Sequence, residues 1–200
     1  AYMHEMLHWV SGARLPVVMA EVNRALGAPW ILWTDQTDSL SQRDTGWLQF
    51  YCSTNQEILD ATLIAYRVAE ELLLPVMVCY DGFTLSHTYE PVDVPDQALV
   101  DRYLPPLDYP YALDMKAPRS FSALPKPAEY LRLRRRMAAD MERAHAAVAV
   151  AEEAFAELFG RRYSAVEGYK AEDAEVLLVT SGAPAAPARA AVGRLRAGGR

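Results

Sequence analysis

The chain has 200 residues, 52% of them hydrophobic and 23% charged, a balance that excludes an intrinsically disordered protein and allows one sizeable core with the start of a second. Its 20 basic and 26 acidic residues leave a formal charge of −6, which speaks against nucleic-acid binding because phosphate neutralisation needs a basic face. No apolar run approaches the ~20 residues that span a bilayer and no signal-peptide pattern is visible, so a cytoplasmic protein with no membrane partner is expected.

Met3 to Val10 reads as the inside of a helix closed near Gly12. Pro16 to Val22 is short, β-branched and almost entirely apolar, as a strand buried on both faces requires. Trp30 to Gly46, rich in Asp, Thr, Ser and Gln, reads as a loop at a strand end. Asn55-Gln56-Glu57 opens a helix whose Ile58, Ala61, Thr62, Ala65, Val68, Ala69 and Leu72 keep the three-and-four spacing of one packed face. Pro75 to Tyr80 is a second buried strand, ended by the turn Asp81-Gly82-Phe83. Strand, helix and strand in this order imply a right-handed crossover and a parallel sheet, hence an α/β fold whose ligands sit beyond the carboxyl ends of the strands.

Prolines crowd residues 104–127 as in an extended surface connector, and a long helix follows over about 128–159. Its Met137, Met141, Ala144, Val148, Ala151, Phe155 and Leu158 make one packing stripe. Glu175 to Thr180 reads as a further parallel strand, Ser181-Gly182 as a turn and Ala185 to Leu195 as a helix, together the first βα unit of a second domain. The domains expected are therefore 1–103, a connector and helix over 104–172, and 173–200. The opening at Ala1 inside a helix and the stop after another helix are read as a piece of a longer polypeptide.

Five features offer chemistry. Cys52 and Cys79 are too few for a four-ligand cluster or a Cys-rich zinc site and read as buried free thiols. His4-Glu5-Met6-Leu7-His8 matches the helical zinc pattern H-E-x-x-H, but Ser11 and Arg14 stand where the extended motif needs Gly and His, and the nearest downstream acid, Glu21, falls in a strand. A chance match is favoured and no metal site is assigned. The run Leu131 to Arg136 reads as a solvated helix face, with an acidic subunit surface as the alternative, and Thr180-Ser181-Gly182 as a structural turn rather than an anion cradle. Arg24 stands two residues beyond an apolar strand, at the ligand edge of the sheet. Position alone favours a salt bridge with Asp35 or Asp38 over a substrate carboxylate, although a guanidinium suits either.

Taken together, Ser11 to Val18, Val22-Asn23-Arg24-Ala25, Asp35 to Asp38 with Gln42 to Trp47, Asn55-Gln56-Glu57, Asp81-Gly82-Phe83 with Ser86-His87-Thr88, and Tyr169-Lys170 with Glu172-Asp173-Ala174 resemble the pyruvate:ferredoxin (2-oxoacid:acceptor) oxidoreductases, in the α subunit or its equivalent domain. The resemblance implies that residues 1–103 are the later part of the domain binding the pyrimidine end of thiamine diphosphate, a cofactor shared with a partner domain or subunit. Residues from about 173 would begin a transketolase-C-like domain. Magnesium and the 4Fe-4S clusters would sit on other domains or subunits, diphosphate-binding and ferredoxin-like, with ferredoxin or flavodoxin and coenzyme A as further partners. Arg24 matches the family's carboxylate-binding arginine, so it becomes the expected substrate contact. Asp35, Asp38 and Arg43 are second candidates, with a loop-bracing ion-pair network as the favoured role. The family's cofactor-activating glutamate and its substrate-binding threonine belong upstream of Ala1, so no catalytic residue is assigned here and the piece alone is expected to be inactive. The implied reaction is oxidative decarboxylation of a 2-oxo acid, pyruvate first, to acyl-CoA and CO₂. A non-catalytic α/β module that docks subunits or binds a nucleotide is the rival reading; the stretch Arg43 to Trp47 argues against a transketolase-like enzyme.

Overall fold

Val76 to Cys79 have essentially no solvent-exposed surface, which a strand achieves only with a neighbour on each edge and a layer on each face. The computed structural model describes residues 2–120 and 124–198 (for Tyr2, the backbone alone), leaving part of the proline-rich connector and both extreme ends outside the described residues. In it this strand, β3 (Val76–Asp81), is the centre of a three-stranded parallel sheet of order β1-β3-β2, with β1 (Val18–Asn23) and β2 (Leu48–Tyr51) at its sides. The register pairs Val18 and Leu48 with Val76, and brings Asn23 level with Asp81 at the carboxyl end. Helix α1 (Tyr2–Gly12) precedes the sheet, the short α2 (Thr37–Leu40) lies between β1 and β2, and α3 (Asn55–Leu72) crosses from β2 to β3.

The α/β class and the β1, α3 and β3 segments agree with the sequence reading, to within a residue or two at their ends. The strand β2 was not anticipated: Leu48-Gln49-Phe50-Tyr51 is only four residues long and half-buried throughout, too short for a periodic signal. Thr54 caps α3 by accepting from the Glu57 amide at 3.1 Å, while the Glu57 carboxylate reaches back to the Ser53 amide at 2.7 Å.

A second layer forms from α4 (Gln97–Tyr103) and α5 (Pro127–Phe159), the long helix the sequence indicates. Ala144, Ala147 and Ala151 of α5 let it lie close on Ile64, Val68 and Leu72 of α3. Tyr103 plugs the end of this seam: it is fully buried, donates to the Ala151 carbonyl at 2.9 Å and meets Phe155 edge-on with centroids 5.5 Å apart. Each large apolar side chain so buried contributes about 1.5–3 kcal/mol. Helix α4, unforeseen, starts at Asp96, whose carboxylate accepts from the Ala98 amide at 2.8 Å.

A buried ion-pair cluster fastens the chain after α5 to this layer. Asp60 of α3 has no exposed surface; it accepts from Arg161 Nε at 2.6 Å and Nη2 at 2.8 Å, and from the Tyr163 hydroxyl at 2.6 Å. Burial, then the bond to Asp60, pushes the Tyr163 hydroxyl pKa up.

The expected strand over Glu175 to Thr180 is not formed. Val176 is 86% and Val179 90% exposed, and a strand needs a neighbour to complete its hydrogen bonds, which this segment lacks among the described residues. The helix that follows, α6 (Ala185–Ala197), is present as expected.

Two substitutions test this architecture. Arg161→Ala leaves the Asp60 carboxylate buried without its cation and should lower stability by about 3–5 kcal/mol in denaturant unfolding, more than the paired change Arg161→Met with Asp60→Leu. Gly82→Ala would place a Cβ 2.5 Å from the Asn23 carbonyl oxygen and 2.9 Å from that of Leu32, both backbone atoms. It should cost about 1–3 kcal/mol, read as a lowered Tm.

Candidate functional site

The carboxyl edge of the sheet is built on a buried polar network. Asn23, the last residue of β1, has no exposed surface, and its Nδ2 donates to Asp38 Oδ1 and to Ser39 Oγ, each at 2.8 Å. The other Asp38 oxygen accepts from the backbone amide of Arg24 at 2.8 Å. Ser39 Oγ lies 3.0 Å from the Tyr51 hydroxyl of β2, and Gln49 donates to the Ser39 carbonyl at 2.7 Å. Ser39, Tyr51 and Gln49 thus support the site although none was singled out in the sequence, and Asn23 stood there only within the Val22-Asn23-Arg24-Ala25 motif; the available signal was a polar Asn ending a largely apolar strand. Below them Glu21 has a raised pKa, from burial first and from the Asp38 charge second.

This network settles what Asp38 does. Its carboxylate is engaged by Asn23 and by two backbone amides, Arg24 and Ser39, so the expected salt bridge to the Arg24 guanidinium is absent. Asp35 is no partner either: its Oδ1 accepts from Thr37 N at 2.7 Å and Thr37 Oγ1 at 2.6 Å, bonds that lower its pKa. Thr37 Oγ1 in turn accepts from the Leu26 amide at 3.0 Å. Arg43 is exposed, with Nη1 donating to the Leu40 carbonyl at 3.2 Å. These three residues sit together around α2, but among the described residues they form no ion pair with one another, because backbone groups satisfy them first.

Arg24 itself is exposed at the sheet edge. Its guanidinium lies 5.5 Å from the Trp30 ring centroid, and Nη1 donates to the Ala25 carbonyl at 2.7 Å. Among the described residues no carboxylate lies within ion-pair distance of it. The loop beyond it carries Trp30, Ile31, Leu32 and Trp33, all about half exposed, and Trp33 meets Phe83 from the end of β3 with centroids 5.0 Å apart. A cation over an aromatic face, beside apolar side chains, can hold a small carboxylate whose other end is apolar.

The remaining motifs fall into place around this edge. The Ser181–Ala183 turn presents its amide to an anion, but that anion is Asp81: the Ala183 amide donates to Oδ2 at 2.5 Å. Burial raises the Asp81 pKa against that bond. Arg132, Arg134, Arg135 and Arg136 are exposed along α5. Both cysteines are buried and free, and burial pushes the Cys79 thiol up to about 12, far from the thiolate a ligand or nucleophile needs. His4 and His8 stand one turn apart on α1, with ring centroids 5.1 Å apart, while Glu5 is exposed.

Comparison with known proteins identifies the family. Residues 1–153 match the family described as pyruvate flavodoxin/ferredoxin oxidoreductase, thiamine diphosphate-binding. The chain is 47% identical over 198 residues to ketoisovalerate oxidoreductase subunit VorA of Pyrococcus horikoshii, covering 98% of the chain and 50% of that protein. It is 44% identical over 198 residues to pyruvate synthase subunit PorA of Methanothermobacter thermautotrophicus, covering 98% and 52%. It is 49% identical over 188 residues to PorA of Pyrococcus furiosus, covering 91% and 47%. The chain therefore spans about half the length of the curated relatives it matches. A family match over residues 1–153, with relatives 44–49% identical over most of the chain, places this chain in the thiamine diphosphate-binding family of the pyruvate flavodoxin/ferredoxin oxidoreductases.

Proposed function

We propose that the chain is the substrate-carboxylate side of a 2-oxoacid:ferredoxin oxidoreductase, which oxidatively decarboxylates a 2-oxo acid to acyl-CoA and CO₂. The observation that carries this reading is the exposed Arg24 guanidinium, unpaired with any described carboxylate and presented at the ligand edge of a parallel sheet. It orients the acid's carboxylate by a planar, permanently charged fork. Such an anchor must not over-stabilise the ground state, because the negative charge departs with CO₂. Arg24 meets that condition by remaining exposed over Trp30 rather than in a buried pair.

The same edge does not fit the diphosphate of the family's cofactor. Against the guanidiniums of Arg24 and Arg43 stand the three carboxylates of Glu21, Asp35 and Asp38, a net acidic set that would repel a phosphate group rather than cradle it. No step through thiamine diphosphate is therefore derived from these residues. The diphosphate, its magnesium and the 4Fe-4S clusters are assigned to other domains or subunits, and ferredoxin or flavodoxin and coenzyme A to the assembled enzyme.

Pyruvate is the first substrate to test and branched-chain oxo acids the second, since the similar proteins are named for both pyruvate synthesis and ketoisovalerate oxidation. Residues 173–200 are assigned to the start of a second α/β domain. The support for this is an apolar run, Val176 to Val179, left exposed and followed directly by α6. The site of action is assigned to the cytoplasm; among the described residues no helix is long and apolar enough to cross a membrane.

In the intact oxidoreductase, Arg24→Ala should raise KM for the oxo acid and lower kcat/KM. Losing a charged partner costs about 2–5 kcal/mol, roughly 30-fold to several thousand-fold, with Arg24→Lys intermediate. Steady-state kinetics with a viologen acceptor measures this; wild-type kinetics in Arg24→Ala would remove the assignment.

A further inference from the structure

The helical pair His4 and His8 lacks a third ligand in the local sequence, and the fold supplies one from elsewhere. Asp44, in the loop after α2, comes beside the pair, so that one nitrogen of each histidine and one carboxylate oxygen all lie within 4.8 Å of one another. We propose that His4, His8 and Asp44 form a binding site for a divalent transition cation of the zinc type, which ties α1 to the 42–47 loop. Two imidazoles and one carboxylate suit zinc, copper or nickel better than magnesium or calcium.

The loop is already positioned for this. Trp47 Nε1 donates to the Leu7 carbonyl at 2.9 Å, and Ser11 Oγ to the Thr45 carbonyl at 2.6 Å. Leu7 and Ser11 share the His4 and His8 face of α1, so Asp44 is brought to the histidines by bonds that do not involve them. Gly46, at φ +83°, permits the close passage: a Cβ there would lie 2.9 Å from Ser11 Oγ.

A separate observation points to a ligand. The Gln42 amide nitrogen donates to the Asp38 carbonyl at 3.3 Å, which turns its oxygen toward His4, 2.6 Å from Nδ1. An amide oxygen only accepts, so Nδ1 is the donor, and in the neutral ring this leaves Nε2 as the nitrogen with a free lone pair. This is the outer arrangement of a metal-bound histidine, in which a carbonyl fixes the tautomer and the ring. Tetrahedral zinc needs its ligand atoms about 3.4 Å apart, from bonds of about 2.0–2.1 Å, so atoms now within 4.8 Å of one another must draw closer on binding, and His4 and Asp44 are exposed rather than packed in place. Glu5 takes no part, and three ligands leave one position for water. The site is separate from the Arg24 edge and does not rest on the function proposed for it.

The test is titration of zinc chloride into chelator-stripped full chain, followed by calorimetry and by Tm. One equivalent should bind and raise Tm. Binding should be lost in His4→Ala with His8→Ala, weakened in Asp44→Asn, and weakened about 10- to 100-fold in Gln42→Ala. His87→Ala and His145→Ala, at the two remaining histidines, should leave it unchanged. Absence of stoichiometric binding, or binding that persists unchanged in either the double His variant or Asp44→Asn, would overturn the proposal. Oxo-acid turnover is not a readout here, so this outcome is independent of that for Arg24.

Discussion

The carboxylate of Asp38 determines how the carboxyl edge of the sheet is used. It is nearly buried, and it is satisfied by the Asn23 side chain together with the backbone amides of Arg24 and Ser39. Because those donors take both oxygens, the chain beyond β1 is pinned at its backbone while the Arg24 side chain is left to project. A carboxylate that instead met the guanidinium would have neutralised the edge. The same residues could have made an inert surface ion pair, worth little in stability. Binding Asp38 from below converts Arg24 into an unneutralised cation at a fixed position.

That distinction was not legible in the sequence. Spacing placed Arg24, Asp35 and Asp38 at one end of a strand, and from spacing alone a salt bridge was the favoured outcome. What decides between a bridge and a projecting cation is whether the acids find backbone donors first. Asp38 finds them through the short turn of α2, and Asp35 through Thr37 two residues on, an Asx-type turn. Both depend on the path of the 24–37 loop. By contrast α3 was readable from the period of its long apolar face, and β1 and β3 from short, nearly unbroken apolar runs bounded by turn residues. β2 and α4 have neither an unbroken apolar run nor the two or more turns that show a helical period, and their conformation follows from what they pack on: β3 for the first, the α3–α5 seam for Tyr103 in the second.

The failed strand at Glu175 to Thr180 follows the same logic from the other direction. Its composition is that of a strand, yet composition supplies only half of a ladder. Without a neighbour its amides and carbonyls are better left to water than paired with nothing. The apolar side chains then stay exposed, Val176 and Val179 most of all. Among the described residues the segment is held at its end, where the Ala183 amide reaches Asp81 and Gln36 reaches Ser181 Oγ at 3.2 Å.

Two buried carboxylates therefore tie the later part of the chain to the sheet layer, and they do so in different ways. Asp60 is matched by a guanidinium and a hydroxyl, so every strong donor it needs is present and the attachment is firm. Asp81 has an amide on one oxygen, while Oδ1 is buried with no hydrogen-bond partner. A buried acceptor without a donor carries a cost of about 1–3 kcal/mol, and burial has already raised this group's pKa. The Asp81 contact is thus the weaker of the two. Chain beyond Tyr163 is anchored strongly where it leaves α5 and loosely where α6 begins, and the exposed apolar run lies between those points.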